Sequence, residues 1–233
     1  LWVHIHSEKY KPSDEAADEI LVPILQELAD FAKPYDVRLA IYPHVNFLAE
    51  KAEDSFRLAN KVNRENVGSV FNICHFLKTD SEENLAKVIE MTLPKLFAVS
   101  VSGADRGDTK SMNWDQLIQP LGQGTFDVYR VVELLADKGY TGPIGLQCYN
   151  LKGDPEPYLK QSMDAWKSFK QKYAMSVNTL LKQEKAEGWQ LLFDGKTTTN
   201  WRGINQNSFP ATGWKIENGE LIACAHGGAE SGN

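Results

Sequence analysis

The chain has 233 residues, 42% of them hydrophobic, and its 31 acidic against 25 basic side chains leave a net charge of −6. That is enough chain for one large or two modest domains with a buried core. No lysine and arginine block interleaved with aromatics occurs, which speaks against nucleic acid as a partner, and no apolar stretch reaches the roughly 18 residues of a membrane-spanning segment.

The chain opens at Leu1 inside an apolar run and stops at Asn233 shortly after a glycine-rich turn, so it reads as a fragment whose start says nothing about export. The first run, Leu1–His6, predicts a strand. The helix after it carries Ile20, Leu21, Ile24, Leu25 and Leu28 at helical spacing, with a kink or break expected at Pro23 and a stop near Pro34. A second strand is predicted over Val37–Pro43, followed by a helix with Leu48, Ala52, Phe56, Ala59 and Val62 on one face. Val67–Cys74 is the third strand, and Ser81 the expected cap of a helix that turns Leu85, Val88 and Ile89 inward. Leu96–Ser102 is the fourth. Thr125 is expected to cap the next helix, with Val128, Val131, Val132 and Leu135 inward and Gly139 left-handed just past its end. Pro143–Tyr149 is the fifth strand, and its helix shows Tyr158, Leu159, Ser162, Met163, Trp166 and Phe169.

Strands alternating with helices make this an α/β chain with a parallel sheet, five βα units where a closed barrel needs eight. Residues 174–187 turn polar and read as the tail of the last helix merging into a linker. From Gly188 the helical period disappears. Short runs at Trp189–Phe193, Gly213–Glu217 and Glu220–Cys224 then predict the opening of an all-β domain, with Asn218-Gly219 as a type I′ hairpin turn. Cys74, Cys148 and Cys224 have no metal-ligand spacing. Strand alternation puts Cys74 on the face of Asn72 and Cys148 opposite Gln147, so free thiols are expected rather than a disulfide.

In a parallel α/β barrel the working side chains gather at the C-terminal ends of the strands. Here those ends read Tyr42-Pro43-His44, Asn72-Ile73-Cys74-His75, Ser102-Gly103-Ala104-Asp105-Arg106 and Gln147-Cys148-Tyr149-Asn150. His44, His75 and Asp105 have pKa values useful for proton transfer, and Arg106 is a possible anion clamp. His4 and His6 end the first strand and are not assigned to the mouth. The loop from Gly103 to Gly124 is long for a βα connection, and its Trp114 reads chiefly as loop packing, with stacking on a sugar as the alternative.

The order and spacing of these strand ends resemble the last five units of a xylose-isomerase-like TIM barrel, in the sugar phosphate isomerase/epimerase superfamily. Ile41-Tyr42-Pro43-His44 is similar to that family's strand ending in Glu-Asn-His, and Val67 to His75 to its strand ending in Asp-x-x-His. Ser102-Gly103-Ala104-Asp105 stands where the family has His-x-x-Asp, and Gly145-Leu146-Gln147 where the last strand ends in glutamate. The resemblance implies a partial (β/α)8 barrel over 1–173 that binds a small-molecule carbohydrate. In the family the Glu, Asp, His and Glu of these positions hold a divalent metal; this chain has Tyr42, Asn72, Ser102 and Gln147. Neutral oxygens bind such ions far more weakly than carboxylates, so no metal or other cofactor is expected. Asn72 and Gln147 keep nearly the shape of Asp and Glu and are expected, with Tyr42, Ser102 and Arg106, to bind a sugar.

A second resemblance lies in the tail. Gly188-Trp189-Gln190-Leu191-Leu192-Phe193-Asp194-Gly195-Lys196, Asn200-Trp201-Arg202-Gly203 and Trp214 to Leu221 are similar to the start of the 3-keto-disaccharide hydrolase family. That implies the truncated start of an all-β lectin-like sandwich over 188–233 and, for a longer bacterial-type parent, cleavage of glycosides oxidised at C3. The two resemblances together point to proton transfer beside a sugar carbonyl, with His44 or His75 as the base. A non-catalytic carbohydrate-binding or scaffolding barrel stays open beside it, as does metal held by His44, His75 and water. The resemblance leans to a periplasmic or extracytoplasmic setting; the residues themselves specify no compartment.

Overall fold

The computed structural model describes residues 1–180, 182–217 and 219–224. Two compact units are present, Leu1–Met163 and Asp164–Asn233. The first contains a five-stranded sheet in the order β1 (Trp2–Val3), β2 (Leu39–Ile41), β3 (Val67–Asn72), β4 (Leu96–Val101) and β5 (Ile144–Leu146). Every neighbouring pair is parallel. Each strand lies beside its predecessor in the chain, the arrangement of consecutive βα units in a TIM-barrel-like fold.

Alternation of side chains sorts the two faces of this sheet. Leu39 and Ile41 of β2 pack with Leu25 and Ala29 of α1 (Asp18–Ala32) and with Leu58 and Val62 of α2 (Ala52–Val62) in one buried cluster. Ala40 and Tyr42, on the other face, join Val70 and Ala98. Each large side chain taken wholly out of water in the helix-covered layer contributes about 1.5–3 kcal/mol. Asp18, at the start of α1, ties it to α2, accepting from Arg57 and, at 2.7 Å, from Lys61.

Four local expectations change. α1 is not broken at Pro23. A proline there removes only the hydrogen bond to Glu19, near the helix start, where the loss is smallest. The third strand stops at Asn72, because its side-chain oxygen accepts from the backbone N–H groups of Cys74 and His75 and caps α3 (Ile73–Thr79). Cys74 is therefore helical and does not follow strand alternation, and the free cysteines remain unpaired. Ser81 stands at the N-cap of the short 3-10 turn Glu82–Asn84 but bonds the Glu83 carboxylate, and α4 (Leu85–Thr92) follows.

Thr125 does not cap the following helix. Its hydroxyl accepts from Arg106 N–H and its own N–H donates to Asp105, so it pins a loop, while α6 begins four residues on (Tyr129–Asp137) after the short α5 (Trp114–Leu117). Gly139 does take the left-handed conformation, φ +74°, just beyond α6. α7 spans Pro155–Val177. In the second unit β6 (Trp214–Glu217) pairs antiparallel with β7 (Glu220–Ala223), and Asn178 donates to the carbonyl oxygens of Ala174 and Gly219. Asn218 of the expected turn and residues 225–233 lie outside the described residues. No strand forms at Trp189–Phe193, where Trp189 and Leu192 are exposed. An extended run needs a paired neighbour, and none of the described residues supplies one.

Candidate functional site

Tyr42 projects from the end of β2, its backbone N–H donating to Val3 at 2.9 Å. Three side chains meet at its hydroxyl. The Asn72 amide nitrogen lies 2.5 Å away and that of Gln147, just past β5, 3.3 Å away. The orientation of both amides is fixed from the other side. Asn72 Oδ1 accepts from the Cys74 and His75 backbone N–H groups and from the Cys74 thiol, and Gln147 Oε1 accepts from Tyr149 N–H at 3.0 Å. Only the NH₂ groups are left to face Tyr42. Burial raises the Tyr42 pKa, an effect larger than the opposing pull of its two amide partners, so the phenol stays neutral.

Beside this triad lie two histidines whose tautomers are set by the backbone of one residue, Val45. His44 Nδ1 bonds the Val45 carbonyl oxygen at 2.8 Å, and since that oxygen only accepts, Nδ1 carries the proton and Nε2 the lone pair. His75 Nδ1 accepts from Val45 N–H at 3.4 Å, which leaves its proton on Nε2. The rings are 4.2 Å apart between centroids. Burial, followed by the nearby charges of His44 and His4, lowers the His75 pKa to about 3. Burial and His44 also lower that of His4.

A cavity of about 350 Å³ opens here, lined by His4, Tyr42, His44, His75, Trp114 and Gln147, with Ile118 and Tyr149 at its margin. Small-molecule sites begin near that size. His4 reaches it because β1 ends at Val3 and the ring stacks on Tyr42, centroids 4.6 Å apart. Trp114 meets the edge of His75 at 5.3 Å and lies under the Lys78 ammonium, which bonds the Lys110 and Met112 carbonyl oxygens of the long loop. It is therefore both loop packing and a cavity wall. Both residues were legible only in part: nothing in the sequence states that the first strand ends before His4.

The other expected site residues serve elsewhere. Ser102 is fully buried and donates to Leu117 O at 3.0 Å; Asp105 accepts from Thr125 N–H. Arg106 is exposed and paired with Glu82. These three secure the long loop and do not line the cavity. A larger cavity of about 480 Å³ lies beside Asp80, Glu82, Arg106 and Lys110 and holds none of the histidines.

The four positions where the resemblance places metal ligands do not fit a divalent ion. Asn72 and Gln147 turn nitrogen, not oxygen, toward the centre, Tyr42 is a neutral phenol already accepting two hydrogen bonds, and Ser102 is bonded to the backbone. Among the described residues no group of three or more His, Cys, Asp or Glu side chains is placed to hold a metal ion.

Comparison with known proteins agrees with this architecture. The inosose isomerase of Halalkalibacterium halodurans is 24% identical over 151 residues, covering 64% of this chain and 51% of its own length. That of Bacillus subtilis (strain 168) is 25% identical over 146 residues, covering 62% and 50%. The chain thus spans about half the length of these curated relatives. Among solved structures, the IOLI protein with a bound zinc atom superposes with a TM-score of 0.58 at 21% identity, over 74% of this chain and 62% of that one. The 3-keto-D-glucoside 4-epimerase of E. coli superposes at 0.51 and 18% identity, over 64% and 52%. Residues 2–169 match the model of the xylose isomerase-like TIM barrel, and the chain belongs to that family.

Proposed function

We propose that the mouth of this sugar isomerase/epimerase-like barrel binds a sugar or keto-sugar and moves a proton on the carbon next to its carbonyl, with His44 as the base. The observation that carries the reading is the Val45 backbone, whose carbonyl oxygen and N–H leave the His44 Nε2 lone pair and the His75 Nε2 proton as the free functions of two touching rings beside one cavity. His44 Nε2 takes the proton, the C–H electron pair becomes a C=C bond, and the carbonyl π pair moves onto oxygen, where hydrogen bonds stabilise it. Return of the proton to the opposite face of the same carbon gives epimerisation; return to the former carbonyl carbon gives isomerisation once the neighbouring hydroxyl proton has passed to the first oxygen. His75, with its pKa near 3, stays neutral and acts as a donor rather than a base.

Two considerations favour a keto-glycoside as ligand: the resemblance of residues 188–233 to the 3-keto-disaccharide hydrolase family, and the name of the E. coli structural neighbour. On this reading residues 1–173 are the partial barrel, 174–187 the linker and 188–233 the start of the lectin-like domain. The test is deuterium wash-in from D₂O at the carbons flanking the ketone of methyl 3-keto-α-D-glucopyranoside, followed by proton NMR. The chain should accelerate it, and His44→Gln should slow it by roughly 10²–10⁴-fold while binding persists. Equal rates for the two proteins, or no acceleration over buffer, would leave a carbohydrate-binding barrel without this chemistry.

A further inference from the structure

We infer that the Tyr42 hydroxyl is the hydrogen-bond donor to a ligand's ketone oxygen, held for that task by Asn72 and Gln147 as positioning residues. The proposal rests on the keto-sugar reading above and assigns the group that does what a metal's Lewis acidity would otherwise do.

The argument is a count. A phenol oxygen offers one proton and two lone pairs. Both amide nitrogens donate to it, and neither amide can be flipped, because each oxygen is already fixed by backbone N–H groups. The lone pairs are thus spent on Asn72 and Gln147. The proton remains, and among the described residues no acceptor bonds it. Tyr42 is nevertheless a wall of the cavity. A buried O–H without a partner is costly, and an acceptor entering the cavity relieves that cost. The same count fixes the ligand's chemistry. The site gains most from an oxygen that accepts without needing to donate, which a ketone is and a sugar hydroxyl is not.

Two donated hydrogen bonds also draw electron density from the phenol's oxygen and strengthen its O–H as a donor, while burial keeps it neutral. During proton removal from the neighbouring carbon the growing charge on the ketone oxygen is met by this O–H. The proton stays on Tyr42, so no further acid is needed.

Tyr42→Phe removes one oxygen and keeps the ring contacts to His4, at 4.6 Å, and Trp2, at 5.0 Å. Calorimetric titration with methyl 3-keto-α-D-glucopyranoside and with methyl α-D-glucopyranoside should show the chain preferring the ketone. In Tyr42→Phe the affinity for the ketone should fall about tenfold, with little change for the parent glycoside. Asn72→Asp, nearly isosteric, gives the Tyr42 proton a carboxylate to bond and should cause the same selective loss in chelator-containing buffer. The infrared carbonyl stretch of the bound ¹³C-labelled ketone should shift to lower frequency with the unmodified chain and not with either variant. Failure of proton exchange with these signatures intact would sink the reading of His44 as base and leave Tyr42 as the donor. Absence of ketone binding by the unmodified chain, or unchanged ketone affinity and carbonyl shift in Tyr42→Phe, overturns the proposal.

Discussion

Val45 brings no reactive side chain, yet its backbone N–H and carbonyl decide what two histidines can do. Its carbonyl oxygen holds the His44 proton on Nδ1 and its N–H holds the His75 lone pair there, so the outward nitrogens differ in kind. The burial that makes His75 a donor also gives the fold a pH dependence. An unfolded histidine titrates near 6.5, while His75 in the fold has a pKa of about 3, so between these values the unfolded chain binds the extra proton. Stability is therefore full above about pH 6.5 and falls as the pH drops toward 3, by up to ~1.4 kcal/mol per unit from this group. The charges of His44 and His4 contribute to that lowering after burial. Urea titrations at pH 7, 6 and 5 should show His75→Gln losing stability less steeply than the unmodified chain. Parallel loss in both would mean that His75 is not buried neutral.

At the level of elements, the cavity depends on how the long loop after β4 is held. Gly103 exchanges both backbone hydrogen bonds with Gln119 at 2.9 Å, and a Cβ there would lie 2.4 Å from Pro120 O and 2.6 Å from Gln123 O. Both obstacles are backbone, so the loop itself must move. Gly103→Ala is expected to cost about 1–3 kcal/mol in denaturation and to weaken ligand binding by displacing Trp114. Unchanged stability and binding would show that the loop absorbs the clash elsewhere.

The strands at β2 to β5 were legible because each is a short apolar run between helical patterns, and the strand ends at Tyr42 and Gln147 followed from alternation. The switch at Asn72 was harder. The run Val67–Cys74 is apolar to its end, and only the capping power of an asparagine side chain marks where strand becomes helix. Thr125 had the residue type of a cap, but tertiary bonds to Asp105 and Arg106 outweighed that local preference. The partnership of Arg106 with Glu82, and the internal bond of Ser102, depend on contacts distant in sequence that no local pattern encodes.

For the whole molecule, the first unit has the parallel sheet and family match of a sugar isomerase-like barrel, while three of the four positions expected to bind a metal form a neutral hydrogen-bonded triad. The two facts are reconciled if a protein donor replaces the ion: Tyr42 meets the carbonyl oxygen and His44 moves the proton. Among the described residues no helix is long and apolar enough to cross a membrane. The deciding measurement is deuterium wash-in to methyl 3-keto-α-D-glucopyranoside by the chain after exhaustive dialysis against EDTA, repeated with Mn²⁺ or Zn²⁺ restored. A rate that survives chelation and does not rise when either ion returns is the predicted result. Exchange that vanishes on chelation and recovers with the metal would contradict it.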